Sequence, residues 1–356
     1  MRLEHLGWNG FFEAVWNSVE RNDTRPGRVT AQHRGAWEIA GLFGESSAEA
    51  SGRLRADSAD NGLWPAVGDW VAVGGEPGGG MTICEVLPRR TEIARKMAGR
   101  QNRPQVLAAN IDTIFLVMGL DGDYNPRRME RYLVQVSESG ARPVVLLNKA
   151  DIQEDARIFA GEIRGDAPGL DVHCLSAMTG AGLEALEPYI TEGQTVALLG
   201  SSGVGKSTLL NRLLRTERQA TQPVRERDSR GRHTTTARQL FFVSTGAMVI
   251  DTPGLREIQL WGREQGLASA FPELEALAQF CRFGDCRHES EPGCAVRQAL
   301  EQGDLDEGQL NNYHKLQREQ GAHLRRVNRK AQYQAKREVK KTSRAVRRLY
   351  QERDKL

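Results

Sequence analysis

The spacing of apolar and polar residues changes character once along this chain of 356 residues. Between Arg28 and about Lys96, short β-type runs alternate with clusters of Gly, Pro, Asn and Asp, which is typical of short strands joined by turns. The runs are RVTAQ, AWEIAG, SGRLRA, DWVAV, MTICEV and TEIAR. About five short strands in roughly seventy residues predict a small β-barrel. The OB-fold is the commonest such barrel that also binds nucleic acid, and a barrel used only for packing or protein contacts is the alternative.

From Asn110 onward the chain alternates apolar strand patterns with amphipathic helix patterns. The expected strands cover residues 111–118, 143–147, 171–175 and 195–199, and the expected helices cover 127–139, 152–163, 183–189 and 207–214. Two further runs, 237–243 and 247–251, predict a hairpin at one edge. This alternation implies a mostly parallel, doubly wound sheet that binds its ligand at the carboxyl ends of the strands.

Length and composition indicate a folded protein of several domains. A chain of this length exceeds the size at which one core keeps growing, so two or three domains are expected. The start, MRLEHLGWNG, lacks the apolar core of a signal peptide, and no apolar run approaches the ~18 residues of a membrane span. We therefore expect a cytoplasmic protein with no membrane contact.

The segment GSSGVGKS, from Gly200 to Ser207, lies directly behind one apolar strand pattern and ahead of a helix pattern. It matches the P-loop, whose backbone N–H groups face phosphate. Lys206 would reach the terminal phosphates, and the Ser207 hydroxyl would bind magnesium. A glycine-rich turn with a chance lysine is the alternative. The expected phosphate-binding residues are Gly200, Ser201, Ser202, Gly203, Val204, Gly205, Lys206, Ser207 and Thr208.

A second motif selects the base. Asn148, Lys149 and Asp151 belong to NKAD at the end of an expected strand, where the carboxylate would accept hydrogen bonds from the ring N–H and the exocyclic amine of guanine. Lys149 would lie over the base. Ser176 and Ala177 lie at the end of the next strand, where a backbone N–H would face the guanine oxygen. A helix N-cap before Ile152 is the alternative role for Asp151.

A third motif, DTPG, lies at the end of the last expected strand. Asp251 would be an outer-shell carboxylate ligand of magnesium, and the N–H of Gly254 would face the γ-phosphate. Upstream, the loop GRHTTT at residues 231–236 offers Thr235 as the magnesium-binding threonine of a first switch. A loop that is merely rich in hydroxyl groups is the competing interpretation.

The order of these motifs is permuted. NKAD and SA precede the P-loop, whereas ordinary small GTPases begin with the P-loop and end with the guanine motifs. Circular permutation is tolerable because a site is defined in space and not by chain order. It places the new C-terminal boundary just behind the second switch, so the segment beyond that boundary is expected to be coupled to the nucleotide state.

A cysteine-histidine cluster lies in this C-terminal segment: Cys281, Cys286, His288 and Cys294. Three thiolates and one imidazole within fourteen residues suit a closed structural zinc site. Buried cysteines beside a surface histidine are a poor alternative, since FGDCRHESEPG is too polar for a core. Cys84 and Cys174 lie inside strand patterns and are expected to be packing residues.

The chain ends in a basic stretch. From Lys315 to Leu356 there are 15 Lys and Arg residues against 4 Asp and Glu, a local charge of +11 in a chain of net +3, which leaves −8 for the rest. Such a stretch favours nucleic acid over a solvated helix or a solubility tail.

The combination of PAVGDWV at residues 65–71, the permuted motif order, GRHTTT and the CxxxxCxHxxxxxC cluster is similar to the ribosome small-subunit-dependent GTPase A family. The resemblance covers about residues 28–310. It implies an OB-fold, GTPase and zinc-domain arrangement, binding to the small ribosomal subunit and its RNA, and GTP hydrolysis that the subunit stimulates during late maturation. The implied cofactors are GTP or GDP, magnesium and one zinc ion.

The fold expected on these grounds is multidomain α/β. An extension (1–27), with one or two helical turns around Phe11 to Trp16, precedes an OB-type β-barrel (28–103). A permuted, doubly wound P-loop GTPase domain (104–270), a zinc-binding helical domain (271–320) and the basic tail (321–356) complete the chain.

The expected catalytic residues are Lys206, Thr235 and His233. Leu255 follows DTPG in place of the glutamine that orients water in Ras-type enzymes, so intrinsic hydrolysis should be slow. In the family that the chain resembles, the histidine of GRHTTT, here His233, has been proposed to position water. Two functions remain open: an enzyme whose hydrolysis releases it from the subunit, or a binding module in which GTP only selects an RNA-competent shape and turnover is incidental. The protein is expected to be monomeric.

Overall fold

The structure is a computed structural model that describes residues 2–21, 23–96, 104–215, 238–251, 265–322 and 325. The strands, in chain order, are β1 (Arg25–Gln32), β2 (Trp37–Gly41), β3 (Gly44–Ala50), β4 (Trp70–Gly74), β5 (Met81–Val86), β6 (Glu92–Lys96), β7 (Pro104–Ala109), β8 (Thr113–Gly119), β9 (Arg142–Asn148), β10 (Asp171–Cys174), β11 (Thr195–Leu199), β12 (Arg238–Phe242) and β13 (Met248–Asp251). The helices are α1 (Gly10–Asn17), α2 (Gly52–Asn61), α3 (Pro126–Ser139), α4 (Arg157–Asp166), α5 (Lys206–Arg215), α6 (Gln265–Ala270), α7 (Pro272–Ala278) and α8 (Ala295–Gln302). A further helix covers residues 307–322 and is called the C-terminal helix.

Five strands close into a barrel. β1 pairs with β2 and β4, β2 pairs with β3, and β5 pairs with β3 and β4. The core holds Val29, Ile39, Val71, Val73 and Ile83, each at most 1% exposed. This closure is the OB-fold arrangement and confirms the predicted barrel.

One of the six expected β-type runs is not a strand, and another is a strand that lies outside the barrel. SGRLRA forms the start of α2, because the Ser51 side chain accepts from the Leu54 N–H and Gly62 ends the helix in the left-handed conformation. Strand β3, which the pattern did not predict, takes its place. TEIAR lies in β6, whose hydrogen bonds go to β7 in a separate hairpin.

The N-terminal segment packs on the outside of the barrel. Asn9 caps α1, in agreement with the helical turns expected there. Leu6, Trp8 and Phe12 bury their side chains against Trp70, at the start of β4. The segment therefore lies where the barrel meets the second domain.

The second domain is a doubly wound sheet, as predicted. β10, β9, β8, β11 and β13 lie side by side and run parallel. One face is covered by α3 and α4, and the other by α5 and the 3-10 segment Leu183–Tyr189. Two of the expected helices differ: Pro188 keeps residues 183–189 in a 3-10 conformation, and α4 begins at Arg157 instead of Ile152.

The predicted β12–β13 hairpin forms, but its outer strand is not a free edge. β12 also pairs with β1 of the barrel, through Ala31 with Gln239 and Gln32 with Arg238. Among the described residues, eleven strands consequently form one continuous sheet.

Beyond α6 the chain is helical and shares the core of the sheet's α3 face. The C-terminal helix lies along α3, where Arg131 makes a two-point ion pair with Glu319 at 2.8 and 2.9 Å. Asn312 and Gln320 donate to Glu130 and Glu138. None of the helices in the described part of the chain combines the length and the apolar character that crossing a membrane requires.

Candidate nucleotide-binding site

Four motif-bearing segments meet at the carboxyl edge of the parallel sheet. NKAD begins at the end of β9, SA lies just beyond β10, the P-loop comes directly after β11, and Asp251 is the last residue of β13. Because parallel strands point their carboxyl ends to one edge, motifs that are far apart in sequence lie together. The permuted order therefore leaves the spatial arrangement of a nucleotide site intact.

The P-loop connects a fully buried strand to a helix. All five residues of β11 are buried, and α5 begins at Lys206. A Cβ atom at Gly200 would lie 2.2 Å from the Val117 carbonyl oxygen, and one at Gly205 would lie 2.2 Å from Asn148 Nδ2. Both positions therefore require glycine, which shows why the loop can pack so closely on its neighbours.

Lys206 is folded back onto its own loop. Its Nζ donates to the carbonyl oxygens of Gly200, at 2.7 Å, and Ser201. Ser202, Gly203, Ser207 and Thr208 are exposed, whereas Val204 is buried. The loop thus presents its backbone and hydroxyl groups at the open edge of the sheet.

Asn148 ties the base motif to the phosphate motif. Its side chain is 2% exposed; Nδ2 donates to the Val204 carbonyl at 2.7 Å, and Oδ1 accepts from the Ala177 N–H at 2.9 Å. Ala177 belongs to the SA pair that is expected to offer an N–H to the guanine oxygen. Asn148 Oδ1 and the guanine oxygen would therefore have to share the Ala177 N–H. One amide consequently holds three loops together.

Lys149 and Asp151 lie at the exposed end of the motif. Lys149 has a left-handed backbone (φ 64°), a conformation that is uncommon for non-glycine residues, and its Nζ pairs with Asp121. Asp151 is exposed in the 3-10 segment Ala150–Ile152. It does not cap α4, whose N-cap is Ala156, so the alternative role for Asp151 is excluded.

Asp121 is a residue of the site that none of the sequence motifs contains. It lies just beyond β8, and its ion pair with Lys149 lowers its pKa. The available signal was its position: an acidic residue directly after a buried strand of the same sheet. Asp121 holds the Lys149 side chain at the site in this structure.

Three predicted residues lie outside the described part of the chain: His233, Thr235 and Gly254. Ser176 is buried at the turn after β10, and its Oγ accepts from the Thr179 N–H at 3.1 Å.

The cysteine-histidine cluster forms as predicted, between α7 and the start of α8. One ligand atom from each of Cys281, Cys286, His288 and Cys294 lies within 4.8 Å of the others. Cys281 Sγ is 3.9 Å from Cys294 Sγ, and His288 Nδ1 is 3.6 Å from the Cys281 sulfur and 3.4 Å from the Cys294 sulfur. A tetrahedron with Zn–S bonds of about 2.3 Å has edges of about 3.8 Å, so the donor set fits zinc.

Comparison with known proteins places these features in one family. The sequence model of the RsgA GTPase family matches residues 86–261. The small ribosomal subunit biogenesis GTPase RsgA of Opitutus terrae is 49% identical over 337 residues, 92% of each chain. The protein of that name from Syntrophotalea carbinolica is 46% identical over 327 residues, 90% of each chain.

Solved structures share the architecture. The crystal structure of YjeQ from Thermotoga maritima is 27% identical, has a TM-score of 0.63, and matches over 83% of this chain and 98% of its own. YloQ, a circularly permuted GTPase, has a TM-score of 0.59 at 24% identity, over 85% of this chain and 98% of its own, and shows the same fold. The chain is therefore a member of the RsgA GTPase family.

Proposed function

We propose that this chain binds GTP and hydrolyses it on the small ribosomal subunit during late maturation of that subunit. The observation that carries the proposal is the Asn148 bridge, which holds a guanine-type motif against a P-loop despite their reversed order in the chain. The names of the relatives supply the substrate class and the partner.

The phosphates would replace the carbonyl oxygens that Lys206 now contacts, so its ammonium group would neutralise the terminal phosphate. Ser207 and Thr235 would hold magnesium, which would neutralise phosphate charge when bound. Asp251 would support it from the outer shell, and the Gly254 N–H would face the γ-phosphate. The remaining P-loop residues would bind phosphate through their backbone.

Water activation is assigned to His233. Leu255 has no group that can orient water, so a side chain on the 231–236 loop is the candidate for this role in the family. Docking on the subunit would bring His233 to the attacking water, which would explain why hydrolysis depends on the partner. Turnover would then release the protein.

The cluster of three cysteines and one histidine would hold one structural zinc ion. Its four donors leave no position open for substrate, so the metal would stabilise the fold. The basic stretch from Lys315 onward would bind ribosomal RNA through phosphate contacts, and the protein would act as a cytoplasmic monomer.

Multiple-turnover rates with and without purified small subunits test the proposal. We expect slow GTP hydrolysis alone and a large stimulation by subunits, with ATP unable to compete. A chain truncated after Gln320 should bind subunits more weakly and with a flatter salt dependence, at an unchanged intrinsic rate. GTP-dependent subunit binding without stimulated turnover would instead support the binding module.

A further inference from the structure

Residues 176–181, here called the SA loop, form a tight turn closed by its own backbone. The Ser176 N–H donates to the Ala181 carbonyl at 2.9 Å, and the Gly180 N–H donates to the Ser176 carbonyl at 2.8 Å. This leaves the carbonyls of Ala177 and Met178 facing out of the turn, towards α5.

Arg212, on α5, meets both of these carbonyls. Its Nη2 donates to the Met178 oxygen at 2.7 Å, and its Nε approaches the Ala177 oxygen at 3.4 Å. At Gly180 the backbone φ is +94°, and a Cβ atom there would lie 3.4 Å from Nη2. The guanidinium therefore lies against the turn at a point where the chain carries no side chain.

The helix that carries Arg212 begins at the P-loop. Six residues separate Lys206 from Arg212, a rise of about 9 Å along α5. A helix is rigid over this length, so α5 holds the P-loop and the SA loop at a fixed distance from each other. Asn148 provides the first tie between these two regions, and Arg212 provides a second from the opposite side of the loop.

We infer that Arg212 is a positioning residue for base recognition: it holds the SA loop so that the Ala177 N–H, which also donates to Asn148 Oδ1, can face the oxygen of guanine. The inference rests on the proposed function. Arg212 touches carbonyl oxygens of the loop and acts on the nucleotide only through them. Hydrogen bonds from a charged donor are stronger than those between neutral groups. Losing them should make the SA loop less well fixed at the point where it would contact the guanine oxygen.

The test compares GTP with two analogues. Inosine triphosphate lacks only the exocyclic amine, whereas 2-aminopurine riboside triphosphate keeps the amine but lacks the carbonyl oxygen and, with it, the ring N–H. If Arg212 acts through the SA loop, Arg212→Met should weaken GTP and inosine triphosphate binding by about tenfold, about the worth of one charge-assisted hydrogen bond. Binding of the 2-aminopurine nucleotide should change by less than about twofold, because it has no oxygen for the loop to read.

Two further variants complete the design. Asn211→Ala, an exposed neighbour on the same helix, should leave all three affinities unchanged. Arg212→Lys should recover part of the GTP affinity, since an ammonium group can reach one carbonyl.

Equal losses for all three nucleotides would overturn the inference, because they would indicate general damage to α5. Unchanged GTP affinity in Arg212→Met would overturn it as well. An unsubstituted chain that binds ATP as tightly as GTP would instead refute the proposed function, so the two failures are distinguishable.

Discussion

The guanidinium of Arg28 donates a 2.9 Å hydrogen bond to the hydroxyl of Thr195, joining a barrel strand to the first residue of the strand that leads into the P-loop. The same group donates to the carbonyls of Asn110, at 3.0 Å, and Leu6, and lies over the Trp70 ring at 5.7 Å. Burial lowers the pKa of Arg28 to about 10. A buried cation thus fastens the N-terminal segment, the barrel and the nucleotide sheet at one point.

Arg28→Met should destabilise the protein by about 2 kcal/mol in urea unfolding. Methionine fills much of the same space, but three buried acceptors lose their donors, and each unsatisfied buried group is costly. Arg53→Met serves as the control, because the Arg53 side chain is 92% exposed and is 3.9 Å from Asp57. Equal free energies of unfolding for Arg28→Met and the parent would contradict this prediction. They would show that burying the charge costs as much free energy as its hydrogen bonds contribute.

Asp151→Asn should weaken GTP binding by about 2 kcal/mol, since a hydrogen bond to a charged group is lost from the guanine contact. Xanthosine triphosphate should bind better to the variant than to the parent, because an amide N–H can meet the oxygen that replaces the exocyclic amine. Titration with both nucleotides measures the change. Unaltered GTP affinity would contradict the guanine assignment.

Metal analysis of the purified protein should give one zinc per chain, and Cys286→Ser should lower this value and expose the region after Ala270 to proteolysis. Nucleotide affinity should stay near the parental value, because the cluster lies outside the motif-bearing edge of the sheet. The matched control is Cys84→Ser, because this cysteine of β5 is exposed, so the expectation that it is a packing residue is wrong. Substoichiometric zinc in carefully prepared parent protein would speak against a structural metal.

His233→Ala should retain GTP and subunit binding but lose most of the subunit-stimulated turnover. A group that positions water acts only in the transition state, so its removal lowers kcat and leaves affinity unchanged. His33→Ala, an exposed histidine paired with Glu38, should behave as the parent. Parental stimulated rates in His233→Ala would assign water positioning to the RNA or to another side chain.

Glu130→Gln should change the dependence of stability on pH. Burial raises the pKa of Glu130 above its ordinary value of about 4.3, although hydrogen bonds from Asn312 and the charge of Arg127 oppose the shift. The folded chain therefore keeps this proton to a higher pH than the unfolded chain, and the contribution of Glu130 to stability falls as pH rises through that window. Relative to the parent, the glutamine variant should gain stability as the pH rises above the ordinary pKa of a glutamate and through the raised pKa of Glu130. A difference in unfolding free energy that is constant with pH would contradict the shift.

The sequence by itself determined the features that depend on a few neighbouring residues. GSSGVGKS predicts its own loop because glycines allow the backbone to turn and a helix begins at once. NKAD and SA predict a guanine site because each comes at the end of an expected strand, and four ligands within fourteen residues predict the metal cluster. A local pattern gave the wrong element where helix caps favoured another one. Ser51 and Gly62 cap α2 in a segment that begins with an expected strand.

Only the tertiary structure decided how these parts are joined. Nothing near Gln32 or Arg238 in sequence predicts that a barrel strand continues the nucleotide sheet through β12. The Arg28 bridge spans 167 positions to Thr195, and the Asn148 bridge spans 56 positions to Val204. Such contacts depend on which faces of distant elements pack together. A local sequence pattern indicates that a face is apolar or that a side chain can donate, but the partner is chosen by the packing of the whole chain.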